Sequence, residues 1–286
     1  KDLTQQYNTS ADVSPTAAQM PRLVGLAYAS RIYREIEELK QFTKFSHDGN
    51  EIAFGTIGNA STSEGMFWEA INAIGVLKSP AIISIWDDEY GISVTNEHQM
   101  VKGNLSELLK GFQRANGSND GYDVHTVHGW NYPRLLRTYQ QASTIARQSH
   151  IPSILHVVEV TQPQGHSTSG SHERYKSPER LEWESRHDCL VKMRGWMLRQ
   201  GIITNDEITT IEKEENAYVR REQKVAWRAF VKHIDIDRKN VKHMLTEIAT
   251  QSKHQKRIIH IIDNMTKPVY PKRRDIMSAI FDTLKL

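Results

Sequence analysis

The chain has 286 residues, 38% hydrophobic and 25% charged, which is enough apolar material for a full core. Its 37 basic and 34 acidic residues are spread along the chain and leave a net charge of +3, a balance that points away from nucleic acid. No apolar run is long enough to span a bilayer and no basic-then-apolar segment opens the chain, so no membrane partner and a cytoplasmic setting are expected. The single cysteine, Cys189, excludes an internal disulfide and reads as an ordinary packed thiol.

From Pro15 to about Arg34, apolar residues recur at helical spacing at Met20, Leu23, Val24, Ala27, Tyr28 and Ile32, which predicts a helix with one buried face. Ile52 to Ile57 has strand composition, and Ala81 to Trp86 and Ile154 to Val160 are short apolar runs of the kind buried in a parallel sheet. Between the first two, Thr62 to Lys78 reads as a helix packed through Phe67, Ile71, Ile74 and Val76. Val124 to Val127 and a helix over Asn131 to Gln148 continue the alternation. That order predicts an α/β fold with a doubly wound, mostly parallel sheet, which binds ligands at the carboxyl ends of its strands. Beyond Ser177 long charged helical stretches predict a C-terminal helical extension. The expected division is an α/β domain over residues 1–176, the helical extension over 177–266, and over 267–286 a linker and the start of another unit.

The first strand ends in Gly58-Asn59-Ala60-Ser61-Thr62-Ser63-Glu64-Gly65 and runs into a helix. Small residues there let the backbone approach an anion, and the free amides of the next turn favour negative charge. The second strand ends in Trp86-Asp87-Asp88-Glu89-Tyr90-Gly91-Ile92-Ser93, which in a parallel sheet brings Asp88 to the edge that carries Asn59. Magnesium takes oxygen ligands and combines one or two side chains with phosphate oxygens and water. An amide oxygen from Asn59, the Asp88 carboxylate and the Tyr90 carbonyl would suit it. Taken singly, the first segment is also an ordinary capped turn and the second an acidic loop tip.

Together the two segments resemble the thiamine-diphosphate signature of the superfamily that includes transketolase and the 2-oxo acid dehydrogenases, usually Gly-Asp-Gly followed later by Asn-Asn. Here the acidic and amide ligands have exchanged places, with one carboxylate and one amide retained. The match is closest to the alpha subunit of the branched-chain 2-oxo acid dehydrogenases and extends over roughly the whole chain. Ser14-Pro15-Thr16-Ala17-Ala18-Gln19-Met20-Pro21 resembles that subunit's cofactor-side helix, and Gly165-His166-Ser167-Thr168-Ser169-Gly170-Ser171-His172-Glu173-Arg174-Tyr175-Lys176 its active-site loop.

The resemblance implies a thiamine-diphosphate-binding fold with thiamine diphosphate and Mg2+ as cofactors. It places Asn59, Asp88 and the Tyr90 carbonyl on the metal, and Gly58, Ala60, Ser61, Ile92 and Gln162 beside the cofactor. It puts Ser14 and Thr16 on the pyrimidine side and His166 at catalysis. Gln162 stands where the family commonly has an arginine on the diphosphate, and Ser167 matches a serine phosphorylated in some members. The implied reaction is oxidative decarboxylation of a 2-oxo acid with acyl transfer to a lipoyl arm. The implied partners are a beta subunit, or a beta portion of the same polypeptide, and a lipoyl-bearing acyltransferase second component, in an alpha2-beta2 or fused dimer. Tyr270-Pro271-Lys272-Arg273-Arg274-Asp275-Ile276-Met277 resembles the opening of such a beta part. Rival readings are a first component acting on pyruvate, acetoin or 2-oxoglutarate, and a non-catalytic scaffold that keeps the fold. A nicotinamide site is disfavoured because no Gly-x-Gly-x-x-Gly loop follows a predicted strand.

Overall fold

The structure is a computed structural model that describes residue 5 and residues 15–166 and 172–286. It divides into two compact units, Lys1–Ile202 and Ile203–Leu286. The first unit opens with α1 (Met20–Glu35), which has a proline in its first turn and buries Met20, Leu23, Ala27 and Ser30 at intervals of three and four. Strand β1 (Ala53–Gly58) follows, then α2 (Gly65–Val76), β2 (Ala81–Trp86) and a small antiparallel hairpin of β3 (Tyr90–Gly91) and β4 (Val94–Thr95). After a one-turn helix α3 (Leu105–Leu108) come β5 (Asp123–His128), α4 (Tyr132–Ser149) and β6 (Ser153–Val158). Two more helices close the unit, α5 (Pro178–His187) and α6 (Cys189–Arg199).

The four long strands form one parallel sheet in the order β1-β2-β6-β5. Alternation along the strands divides the core. Ile83, Ile85 and Ile154 share a cluster with Met20, Leu23, Phe67, Ile71 and Ile74 of α1 and α2. Ile82 and Leu155 pack instead against Ala142 and Ala146 of α4. Helices therefore cover both faces, as expected of a doubly wound sheet. Because β6 fills the place between β2 and β5, the carboxyl ends of β1, β2 and β6 lie side by side. Trp86 pairs with both Gly58 and Val157, the Asn59 amide donates to the Trp86 carbonyl at 3.1 Å, and the Asp87 amide to the Val157 carbonyl at 2.8 Å.

Some local expectations are corrected. Val76, expected in the packed face of α2, is 73% exposed at the last helical position, and Tyr28 is exposed on α1. Cys189 is not a packed thiol but an exposed one, because α6 begins at that residue. The first unit runs on to Ile202 and includes α5 and α6. An ion pair between Lys176 and Glu184, buried on both sides, ties α5 to the end of the preceding loop.

The second unit begins with α7 (Asn205–Gln251), started by a capping box in which Thr204 and Glu207 bond reciprocally. Helices α8 (Gln255–Thr266) and α9 (Arg273–Leu284) pack on its later turns, burying Leu245, Ala249, Ile258, Ile262, Met265, Ile276 and Ala279. Within this unit residues 267–286 contribute a packed helix, with Lys272 at its N-cap.

Candidate functional site

The turn after β1 leaves backbone bare. A side chain at Gly58 would meet nothing within 4 Å, so packing in the described chain does not require glycine there. Asn59 then starts a single 3-10 turn over Ala60–Ser63, and the amides of Ala60 and Ser61 precede the first bonds of that turn. A glycine beside open space, followed by two first-turn amides, is the backbone arrangement that an anion such as a diphosphate needs.

The turn after β2 abuts it directly. Asn59, 3% exposed, donates through Nδ2 to the Tyr90 carbonyl at 3.2 Å, and a methyl added at Gly91 would fall 2.7 Å from the Ala60 side chain. Asp88 is also buried and accepts from the Tyr90 amide through Oδ1 at 3.2 Å. Asn59, Asp88, Tyr90 and Ala60 are therefore brought together, as are Gly58 and Ile92 at the ends of the same two turns. Neither Asp87 nor Asp88 belongs to a solvated loop tip. The turn holds two non-glycine residues at positive φ, Glu89 (70°) and Ile92 (60°), and the second is β-branched. Such backbone conformations persist where the surroundings over-determine them, and they gather at binding sites.

These donors suit a divalent cation. Burial raises the Asp88 carboxyl above its ordinary value, and the Asp87 charge adds to this, against the Tyr90 amide and the Lys176 charge, which lower it. A carboxylate short of compensation in this way is what a cation stabilises. Among the described residues nothing donates to Asn59 Oδ1, and the Tyr90 carbonyl keeps a second lone pair. One amide oxygen, one carboxylate and one carbonyl form an oxygen set of the magnesium kind.

Asp87 turns the other way, into the protein. Its Oδ2 accepts from Nε2 of His156, which is 1% exposed, at 2.8 Å, and its Oδ1 accepts from the Glu89 amide at 2.8 Å and from Asn96 Nδ2 at 3.0 Å. Burial pushes the Asp87 carboxyl up, but these three hydrogen bonds outweigh it and hold the group below the usual range. Next to this cluster, at the ends of β2, β5 and β6, lies a cavity of about 490 Å³ whose walls include Asp87, Asn96, Thr126, His156 and Glu159.

Helix α5 braces the same turn from outside. Arg180 donates to the Asp88 carbonyl at 3.1 Å and to Glu184 at 2.9 Å, pairs with Glu89, and lies over the Tyr90 ring 5.6 Å from its centroid. Lys176 Nζ reaches Glu184 at 2.8 Å and stands 5.1 Å from the same centroid. The other expected residues lie further out. Thr16 is exposed on the turn before α1, His166 is exposed at the end of the described part of its loop, and the Gln162 carbonyl accepts from the Gly165 amide at 2.9 Å. No described hydrogen bond joins Thr16, His166 or Gln162 to the Asn59–Tyr90 cluster. Ser14 and Ser167 lie outside the described residues.

Comparison with known proteins places this arrangement. The family model of the dehydrogenase E1 component matches residues 4–235, most of the chain and all of the turns just described. The chain belongs to the dehydrogenase E1 component family. Among curated proteins this E1 component is 24% identical over 206 residues to the 2-oxoisovalerate dehydrogenase subunit alpha of Bacillus subtilis (strain 168), covering 72% of this chain and 56% of that protein. It is 26% identical over 208 residues to the pyruvate dehydrogenase E1 component subunit alpha of Rickettsia conorii (strain ATCC VR-613 / Malish 7), covering 71% and 55%. It is 23% identical over 202 residues to the mitochondrial 2-oxoisovalerate dehydrogenase subunit alpha of Dictyostelium discoideum, covering 69% and 40%. The chain thus spans about half the length of the curated relatives it matches first.

Sequence reasoning missed two groups, the Asp87–His156 pair and the Lys176–Arg180–Glu184 brace. A histidine inside the apolar run Ile154–Val160 was a signal for the first, since a buried imidazole needs partners. For the second there was no comparable signal, because lysine, arginine and glutamate at helical spacing read as a solvated face.

Proposed function

We propose that this chain is the alpha-type part of a 2-oxo acid dehydrogenase first component, holding thiamine diphosphate and Mg2+ at the carboxyl edge of its sheet. The observation that carries the proposal is the cluster in which Asn59 bonds the Tyr90 carbonyl, Asp88 bonds the Tyr90 amide and Gly91 abuts Ala60. In this reading Asn59 Oδ1, Asp88 and the Tyr90 carbonyl hold the metal, and the Ala60 and Ser61 amides beside Gly58 hold the diphosphate. Ile92 and Gln162 flank the cofactor, and Ser14 and Thr16 take its pyrimidine side. Bound thiamine diphosphate supplies the electron sink for losing the carboxylate of a 2-oxo acid. His166, on its exposed loop, holds or delivers a proton at the substrate oxygen.

The substrate we favour is a branched-chain 2-oxo acid, in keeping with the names of the Bacillus and Dictyostelium relatives, with the acyl group passing to a lipoyl arm on a second component. The Rickettsia relative's name supports pyruvate as the second reading. A beta subunit, or a beta portion of the same polypeptide, completes the site, in an alpha2-beta2 or fused dimer in the cytoplasm. Calorimetric titration with thiamine diphosphate, with and without Mg2+, tests the proposal. Magnesium-dependent binding is expected, and its absence from the assembled enzyme would leave a non-catalytic scaffold.

A further inference from the structure

We infer that a hydrogen-bonded chain, Thr126–Ser106–His156–Asp87–Asn96, exposed at Thr126 and buried from His156 to Asn96, is a positioning relay that fixes which atom of the Asn59 amide is offered to the cation. The inference rests on the cofactor reading above and extends it to residues outside the proposed ligand set. Asp87, ionised, can only accept, so His156 Nε2 donates to it at 2.8 Å and Asn96 Nδ2 donates to it at 3.0 and 3.3 Å. On its other side the ring meets the Ser106 hydroxyl through Nδ1 at 2.6 Å, and Ser106 meets Thr126 at 2.7 Å. The directions that matter for Asn59, from His156 and Asn96 to Asp87, follow from the one group that cannot donate.

The consequence reaches Asn59. Since Asn96 gives its nitrogen to Asp87, only its Oδ1 is left to face Asn59, and Asn59 must answer with Nδ2, at 2.7 Å. The second hydrogen of that nitrogen goes to the Tyr90 carbonyl at 3.2 Å. Both N–H bonds are then used inside the protein, and Oδ1 is the amide's outward atom. An amide free to turn over would present nitrogen half the time, and an amide nitrogen is no magnesium ligand. A carboxylate at position 59 would have no such problem, because its two oxygens are equivalent. Asparagine at this position needs an orienting partner, as metal-ligating side chains generally do. His156 is 1% exposed and Asp87 and Asn96 are buried, so these bonds are largely screened from solvent.

The test compares Asn96→Ala in two backgrounds, the native chain and Asn59→Asp. Metal affinity is read in the assembled enzyme with thiamine diphosphate, by Mg2+ calorimetry and by electron paramagnetic resonance of Mn2+. Asn96→Ala is expected to weaken metal binding about tenfold or more in the native background, the usual cost of losing an orienting partner. In the Asn59→Asp background it is expected not to weaken the affinity, since nothing remains to be oriented and the Asn96 oxygen that would face the new carboxylate is removed. Asp87→Asn, which keeps the side-chain shape, is expected to show a larger loss in the native background than in Asn59→Asp. An equal loss in both backgrounds for both variants, or no loss in the native one, would overturn the relay and leave the cofactor reading standing. No metal-dependent binding by the unaltered enzyme would overturn the cofactor reading itself, and the relay with it.

Discussion

Asp87 and Asp88 are adjacent in sequence and buried side by side, yet their carboxyl groups are shifted in opposite directions, Asp87 down and Asp88 up. Burial is the largest influence on both, but on Asp87 it is outweighed by hydrogen bonds from His156, the Glu89 amide and Asn96, whereas on Asp88 it prevails and the charge of Asp87 adds to it.

Opposite shifts give opposite pH behaviour. The lowered Asp87 contributes stability that is present above its unfolded pKa and is lost as pH falls through its folded one. The raised Asp88 binds its proton more tightly in the folded state, so metal-free protein gains stability from it as pH falls through that raised value. A cation must displace that proton. Mg2+ affinity is therefore expected to climb as pH rises through the elevated Asp88 pKa, and Asp88→Asn should flatten the climb. Calorimetric titration at a series of acidic to neutral pH values reads this, and an unchanged slope in Asp88→Asn would place the titrating group elsewhere.

Asp88→Ala is expected to abolish metal-supported cofactor binding, as it removes the only carboxylate among the proposed ligands. Exchanging the pair with Asn59→Asp and Asp88→Asn together should be milder than Asp88→Asn alone, because one carboxylate is retained at one metal. Strict additivity of the two single changes would count against a shared ion.

Removing Glu184 strands a lysine. Lys176 is 5% exposed and its ammonium has both Glu184 oxygens as partners, so Glu184→Ala should cost about 3–5 kcal/mol, the usual penalty for an uncompensated buried charge. Denaturant unfolding measures this. Lys176→Met with Glu184→Leu should recover much of the loss, and equal instability of single and double variants would argue against the pair.

Gly91→Ala tests the contact between the two turns. The added methyl would lie 2.7 Å from the Ala60 side chain and 2.5 Å from Gln99 Oε1. Gln99 is a flexible end that can retreat, whereas Ala60 moves only with its turn. A loss of about 1–3 kcal/mol, as for overpacking, is expected together with weakened cofactor binding. Wild-type affinity in this variant would show that the turns are not held to one spacing.

Completeness is a separate question. In the proposed function a beta part completes the site. The purified 286-residue chain, given cofactor and metal, is expected not to decarboxylate any 2-oxo acid, and a beta part is expected to restore turnover. Turnover by the chain alone would contradict this.

The nearness of Asn59, Asp88 and Tyr90 was legible in the sequence for a simple reason. Two apolar runs joined by one helix become neighbouring parallel strands, and their ends must then meet. His156 was not placed by such logic, because β6 enters the sheet between β2 and a strand that precedes it in the chain. That insertion leaves no trace in local periodicity, yet it alone brings His156 to Asp87. The brace on the Asp88 turn was hidden for a related reason. Lys176, Arg180 and Glu184 have the composition of a solvated helix face, yet Lys176 and Glu184 are buried as a pair with Arg180 half-buried beside them. Cys189 shows the reverse error, a residue type that is usually packed but here starts a helix in solvent.

Helix α7 has 47 residues, about 70 Å at about 1.5 Å per residue, and its first buried residue is Val231. Its later turns lie under α8 and α9, while before Val231 it buries no described residue, its start is held by the capping box at Thr204, and Trp227 meets the Tyr270 ring. Deuterium should therefore enter this helix as a gradient, fast from the Thr204 end and slow beyond Val231, so that a single continuous rod opens in stages rather than as one cooperative element.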